Sequence, residues 1–219
     1  MKALALALGV IGLGTGLWAQ EAATAPNLDL SFRAEVGAVG QLLAAQDLFA
    51  LAQVQRDPLA ALAAARLRAG ISVTAVSRDP VAGSQGPALT LPDAAQMFDL
   101  AQRLSLDDDL AVLIEVERVG AAVAAPWTVE ATGAVVAPLE QNRWDLAFFA
   151  GALAEVAVLG AGTAVLDIRV TDAAGNLICQ QLGPRDRLYC PFVPTENGRF
   201  SVLVSNPGGD PAPYSLFTN

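Results

Sequence analysis

Carboxylates are the only abundant side chains here able to do acid–base or metal chemistry. The densest set is Asp107-Asp108-Asp109, with Glu115 and Glu117 downstream. Such a set can hold a divalent cation or meet a basic partner. Acids also gather at helix N-termini, where they complement the macrodipole. We read Asp107, Asp108 and Asp109 as helix-start residues that double as a partner-binding acidic cluster. A second set, Asp167, Asp172 and Asp186, can meet at one edge of a β-sandwich and offer oxygens to calcium. Ordinary turn and solvent-face duty is the preferred account of these three. Glycoside hydrolysis needs two carboxylates set across a cleft, and nothing in the sequence selects such a pair.

The missing residues narrow the chemistry further. The chain has no His, which removes Ser-His-Asp and Cys-His catalysis and imidazole metal sites. Lys2 is its single lysine and lies in a segment read below as cleaved, so Schiff-base and Ser-Lys chemistry go too. No cofactor and no catalytic residue are therefore assigned. Trp127, Trp144, Tyr189 and Tyr214 can form a carbohydrate-stacking patch, but large aromatics are also what a sandwich core needs. Cys179 and Cys190 read as a disulfide, given an oxidising compartment.

That compartment follows from the N-terminus. Lys2 precedes an apolar and glycine run over residues 3–18, then the small Ala19 and the polar Gln20-Glu21. Charged n-region, apolar h-region and small-residue cut make residues 1–19 a signal peptide. The run is short for a membrane span and no second one follows, so no membrane insertion is expected after cleavage. The location expected is periplasmic or secreted. Thirteen Lys+Arg face twenty-two Asp+Glu, a formal net charge of −9. So acidic a surface repels phosphate backbones and anionic headgroups. The partner class left is a protein or an envelope component, with nothing to set an oligomeric state.

The elements that must position these groups fall into two kinds. A polar leader covers residues 20–26. From about Asp29 the pattern is helical, with Leu42, Leu43, Leu48, Phe49, Leu51, Ala52 and Val54 recurring over a polar face of Gln41, Gln46, Asp47, Gln53 and Gln55. Asp57-Pro58 ends this helix and starts another that stops at Gly70. Residues 77–86 read as a loop. Helix resumes at Pro92-Asp93 and runs to about Leu104, and Ser105 is expected to cap the next one with Asp108. Phe49-Ala50-Leu51-Ala52-Gln53 matches Phe98-Asp99-Leu100-Ala101-Gln102 at four of five positions. The match implies a helical-hairpin repeat with a period of about fifty residues, stacked to bury a common face.

At Pro126 the pattern changes to short alternating runs separated by Gly, Pro, Asn and Asp, the mark of a sandwich or barrel. Trp144, Leu146 and Phe148 make one inward row; residues 166–171 and 199–205 make others. If Gly183-Pro184-Arg185-Asp186 is a hairpin turn, Leu182 faces Arg187 and Cys179 lands opposite Cys190. A cross-sheet disulfide is the alternative, should the two strands lie in opposite sheets.

These residues also carry a family resemblance. Gly133-Ala134-Val135, Trp144-Asp145-Leu146-Ala147-Phe148, Val165-Leu166-Asp167-Ile168-Arg169-Val170, the Asp172 to Asn176 turn, Gly198-Arg199-Phe200-Ser201-Val202 and Tyr214-Ser215-Leu216 stand in that order. Together they resemble the bacterial pre-peptidase C-terminal domain, a β-sandwich of exported proteins. The resemblance implies an accessory module without catalysis. Ala164-Val165 stands where acidic residues often precede the Leu-Asp-Leu strand, which counts against the calcium binding reported for some members.

The expected fold is thus an α+β chain of two domains. An α-helical hairpin repeat of about four helices at 27–125 precedes an antiparallel β-sandwich at 126–219. The function expected is a non-catalytic binding or scaffold protein of the bacterial cell envelope. The alternative is a carboxylate-dependent glycan hydrolase.

Overall fold

The computed structural model describes residues 24–33, 36–121, 127–162, 164–183 and 186–219. The signal peptide at 1–19, the first residues of the leader, the boundary residue Pro126 and the turn residues Pro184 and Arg185 lie outside the described residues. Four helices, α1 (Ala38–Gln55), α2 (Pro58–Ala69), α3 (Ala94–Leu104) and α4 (Asp108–Ala121), precede most of the strands. Two strands, β1 (Ile71–Ala75) and β2 (Ser84–Gln85), interrupt the helices. After them come β3 (Trp127–Val136), β4 (Gln141–Phe148), β5 (Ala154–Gly160), β6 (Asp167–Thr171), β7 (Leu177–Gln181), β8 (Arg187–Phe192), β9 (Gly198–Ser205) and β10 (Ala212–Thr218).

The helices start where side-chain oxygens satisfy their first amides. Asp57 accepts from the Leu59 and Ala60 amides at 2.8 and 3.2 Å, with Pro58 in the first turn. Asp93 and Gln96 form a reciprocal capping box on α3. On α4 the cap is Asp107, which accepts from Asp109 and Leu110 at 2.8 and 3.0 Å. The expected cap Ser105 is displaced. It closes α3 instead, its amide donating to the Ala101 carbonyl, because Asp107 sits nearer the orphan amides of α4.

The two hairpins, α1–α2 and α3–α4, share a core in which Phe49 and Ala52 of the first meet Phe98 and Ala101 of the second. Each second helix is thus opened by an aspartate, Asp57 or Asp107, as the repeat implies. Two details differ from the sequence reading. The first helix begins at Ala38, not near Asp29. Leu51 and Val54 are exposed while Gln46 is buried, its amide nitrogen donating to the Pro92 carbonyl at 3.3 Å.

The strands make two packed sheets. One has the order β1-β3-β10-β5-β8 with β2 also on β3; the other runs β4-β9-β6-β7. Trp144, Leu146 and Phe148 of β4 meet Phe192, Phe200 and Tyr214 between the sheets. Pairing is antiparallel except between β1 and β3, which run parallel from Ile71↔Trp127 to Ala75↔Ala131. A parallel pair needs a long crossover, and α3 with α4 supplies it. No strand was expected at Ile71-Ser72-Val73-Thr74-Ala75: its three apolar residues alternate with two polar ones, but five residues directly after a helix are too few to establish a period.

The first sheet is covered on both faces. Its inner face meets the second sheet; its outer face takes Val39, Leu42 and Leu43 of α1 against Val129, Ala157, Leu159 and Phe217. Full burial of Val39, Leu42 and Phe217 contributes about 1.5–3 kcal/mol each. Double coverage also explains why every residue of β5 is buried, since such strands read as continuous apolar runs.

Cys179 and Cys190 are joined, though not across a hairpin. β7 belongs to one sheet and β8 to the other, so the bond crosses the sandwich. Leu182 therefore does not face Arg187 in a ladder. Gln181 substitutes for the missing strand pairing. Its side-chain amide donates to the Tyr189 carbonyl at 2.8 Å and accepts from the Tyr189 amide at 2.9 Å.

Candidate functional site

Asp107, Asp108 and Asp109 are exposed at the start of α4, with Asp107 spent on the cap. The helix they open is unusual for a globular chain. Ile114 is its one buried residue, whereas Val112, Val116 and Val119 are 64, 62 and 66% exposed. Spacings of four and three place these valines on one face, with Leu113 beside them. Acids border the stripe: Glu115 pairs with Arg118 at 2.5 Å, and Glu117 with Arg66 at 2.7 Å. An apolar centre with a charged rim, acidic at Asp108 and Asp109 and ion-paired at Glu115 and Glu117, is the pattern of a docking surface.

The other candidates from the sequence scatter. Asp172 is buried and accepts from the amides of Asn27, Ala174 and Asn176 and from the Asn176 side chain. Burial pushes its carboxyl up, but the hydrogen bonds from Asn176, Asn27 and Ala174 outweigh this and hold it below its usual value. Asp167 accepts from the Gly183 amide at 3.0 Å. Among the described residues no three carboxylates gather as a metal site. Trp144 and Tyr214 are core residues, the indole donating to the phenol oxygen at 3.0 Å. Burial pushes the Tyr214 phenol up to about 12. Trp127 is half exposed on β3 and Tyr189 sits on β8. Trp144 and Tyr214, being buried, offer no sugar a stacking face.

One buried acid escaped the sequence reading. Glu155 of β5 is fully buried and receives the amides of Gly37, Val39 and Gly40 at 3.0–3.1 Å. The Tyr189 hydroxyl donates to the same carboxylate at 2.5 Å. Burial and this anion together push the Tyr189 phenol well above its usual value. Gly37 has no side chain to cap α1, so a strand over one hundred residues away does so. A Cβ at Gly37 would lie 2.3 Å from a Glu155 oxygen, so only glycine permits the approach. The arrangement fastens α1 to the sheet, and full burial keeps the carboxylate out of reach of any substrate.

A second missed feature is a cleft of about 280 Å³ beside β4. Its polar lining comes from Arg78, Asp79, Glu130, Asp145, Arg199, Thr218 and Asn219. Arg78 is fixed by Glu130, Thr132 and Thr218. Asp79 accepts from Gln85 at 2.5 Å, and Asp145 lies 3.9 Å from Arg143. Each carboxylate in the cleft already has a partner. No sequence signal pointed here, because the groups come from five segments whose meeting depends in part on the unforeseen β1.

No protein-family model matches the chain, and no curated protein matches it in sequence. Solved structures match part of it. They include the pre-peptidase C-terminal domain of a collagenase from Bacillus anthracis, at 10% identity and a TM-score of 0.34, covering 40% of this chain and 88% of that one. PliG, a periplasmic inhibitor of g-type lysozyme from Aeromonas hydrophila, matches at 13% identity and 0.31, covering 42% and 84%. The C-terminal CBM6 of LamC from Zobellia galactanivorans matches at 12% identity and 0.26, covering 41% and 79%. The likeness is to sandwich domains, over less than half of this chain.

Proposed function

We propose that this is an exported, non-catalytic binding or scaffold protein of the bacterial cell envelope, periplasmic or secreted after loss of residues 1–19. The helical unit at 27–125 presents the binding face and the sandwich at 126–219 is its rigid platform. The observation that carries this reading is α4, with Val112, Val116 and Val119 turned to solvent beside Asp108, Asp109 and Glu115. The partner that fits is a protein surface with an apolar centre and a basic rim. The cross-sheet disulfide suits an oxidising compartment, and no helix among the described residues is long and apolar enough to cross a membrane.

The test is a photo-crosslinker at Val112 in the mature protein, applied in its own envelope fraction. A defined protein adduct is expected, weakened by salt and lost in Val116→Glu with the circular dichroism unchanged. No adduct, or one indifferent to Val116→Glu, would overturn the reading. The rival is a glycan hydrolase, and Asp79, Glu130 and Asp145 in the cleft are the carboxylates that favour it. Glycan cleavage by the mature protein, abolished by Asp145→Asn or Glu130→Gln with folding intact, would promote that rival.

A further inference from the structure

Residues 24–33 belong to no helix or strand, yet the far end of the chain holds them closely. Asn27 carries most of the contact. Its main-chain amide donates to an Asp172 carboxylate oxygen at 2.9 Å. Its side-chain nitrogen donates to the Glu196 carbonyl at 2.9 Å. Its side-chain oxygen accepts from the Glu196 amide at 2.8 Å and from the Thr195 hydroxyl at 2.9 Å. On either side, the Ala25 carbonyl accepts from the Asn176 side chain at 3.4 Å, and the Asp29 amide donates to the Val193 carbonyl at 2.8 Å. Leu28 packs against the core between the sheets. The segment is bent to fit: the Leu28 amide donates back to the Pro26 carbonyl at 2.8 Å. Asp29 then accepts from the Ser31 amide and hydroxyl at 2.8 and 2.7 Å.

The receiving groups can read a peptide. Val193 offers a carbonyl to its backbone, and Glu196 offers a carbonyl and an amide together to one side chain. A short carboxamide answers both at once. Aspartate there would set an oxygen against the Glu196 carbonyl, and an apolar residue would leave both groups unpaired. Asp172 is positioned beforehand by Ala174 and Asn176. The hold is shallow, because Asn27, Leu28 and Asp29 are only partly buried and Thr195 and Glu196 are exposed. A terminal segment held so lightly opens at far lower free energy than the core. We propose that the sandwich end between the Asp172–Asn176 turn and the Val193–Glu196 loop is a peptide-binding site that residues 25–29 fill in cis. Its partner is a protein bearing an exposed Asn-Leu-Asp segment, which binds when the leader lifts away. The leader competes at an effective concentration on the order of millimolar, so it guards the site against weak ligands. The site shares no residue with α4, and the proposal stands or falls apart from the crosslinking result there.

The probe is a synthetic peptide of residues 24–31, titrated into the full, oxidised chain and followed by NMR at the Asn176 and Glu196 amides. A chain carrying Asn27→Ala with Leu28→Ala has a weakened leader. It should bind the peptide saturably, at least about tenfold tighter than the unmodified chain does. A peptide with Asp in place of its Asn should bind about tenfold more weakly, and the same residues in scrambled order should not bind. No saturable shift at several-millimolar peptide would overturn the proposal, as would an equal response of the two chains or equal binding of the scrambled peptide. Amide exchange in the unmodified chain keeps the test open should the double variant fail to fold. Asn27 and Asp29 should exchange at least about a hundredfold faster than the buried Val202, and faster still as excess peptide displaces the leader. Exchange of Asn27 only through global unfolding, or at a rate indifferent to the peptide, would make the leader a fixed part of the fold and end the proposal.

Discussion

Glu155 shows how much of this architecture hangs on single side chains. Its carboxylate meets three main-chain amides of α1 and the Tyr189 hydroxyl in a fully buried setting. Replacing it with Gln keeps the shape but turns an NH2 toward N–H donors. Glu155→Gln should cost about 2–4 kcal/mol, read as a lower urea midpoint with unchanged slope; a loss below measurement would show the contacts to be dispensable. Asp172 makes a prediction about pH. Its carboxyl is held low in the folded chain, so its stabilisation is fully present above the ordinary carboxylate range. It fades as pH falls through the lower folded value. Asp172→Asn should weaken the fold at pH 7 and flatten the loss of stability below about pH 4. Urea melts across that range decide it, and an unaltered acid limb would refute the assignment. Asp57 as a cap was legible, since capping is local; at α4 the acids were legible as a helix start, but the cap was expected at Ser105 and falls on Asp107. Glu155 was not, because it looks like a blemish in an apolar strand and its amides lie more than a hundred residues away.

At the scale of elements, the disulfide joins β7 to β8 across the sandwich and Gln181 adds two main-chain contacts beside it. Closing a loop of eleven residues should stabilise by about 2–3 kcal/mol. Cys179→Ala with Cys190→Ala should lower the melting temperature by the corresponding amount, and untreated protein should show no alkylatable thiol by intact mass. Equal melting of the oxidised and double-Ala chains would sink this. Here the sequence named the right pair; the hairpin route to it fails and the cross-sheet alternative holds. Counting outward from a turn presumes that successive strands share a sheet, which a sandwich is free to violate. Strands β4, β6 and β9 were legible because each has one buried face and so alternates. The β1 strand and the doubly covered β5 were not, the first too short and the second without a polar face.

For the whole molecule, the three cores divide the energetics. One lies between the sheets, one among the helices, and the third joins α1 to the sheet. The core between the sheets draws its buried residues from β3 onward, so residues 127–219 alone should fold with β-type circular dichroism and a cooperative melt. That fragment uncovers Val129, Ala157, Leu159 and Phe217, and it should melt below the full chain and self-associate. A fragment that stays unfolded would place the boundary elsewhere. The change of pattern at Pro126 was legible as composition; the packing of α1 across it was not, because the outer face of a sheet leaves no periodic trace in the helix that covers it.

The position of β10 bears on how the chain reaches this state. Residues 212–218 lie between β3 and β5, in the middle of their sheet. During synthesis or export, every earlier strand of that sheet must wait with its centre vacant. Most of the entropy of loop closure is then spent late, on contacts such as Arg78 with Thr218, 140 residues apart. Folding of this kind is slow and leaves apolar strand edges open for longer than a local fold does. A chain interrupted before Ala212 has the cores of two layers and no seam to close them.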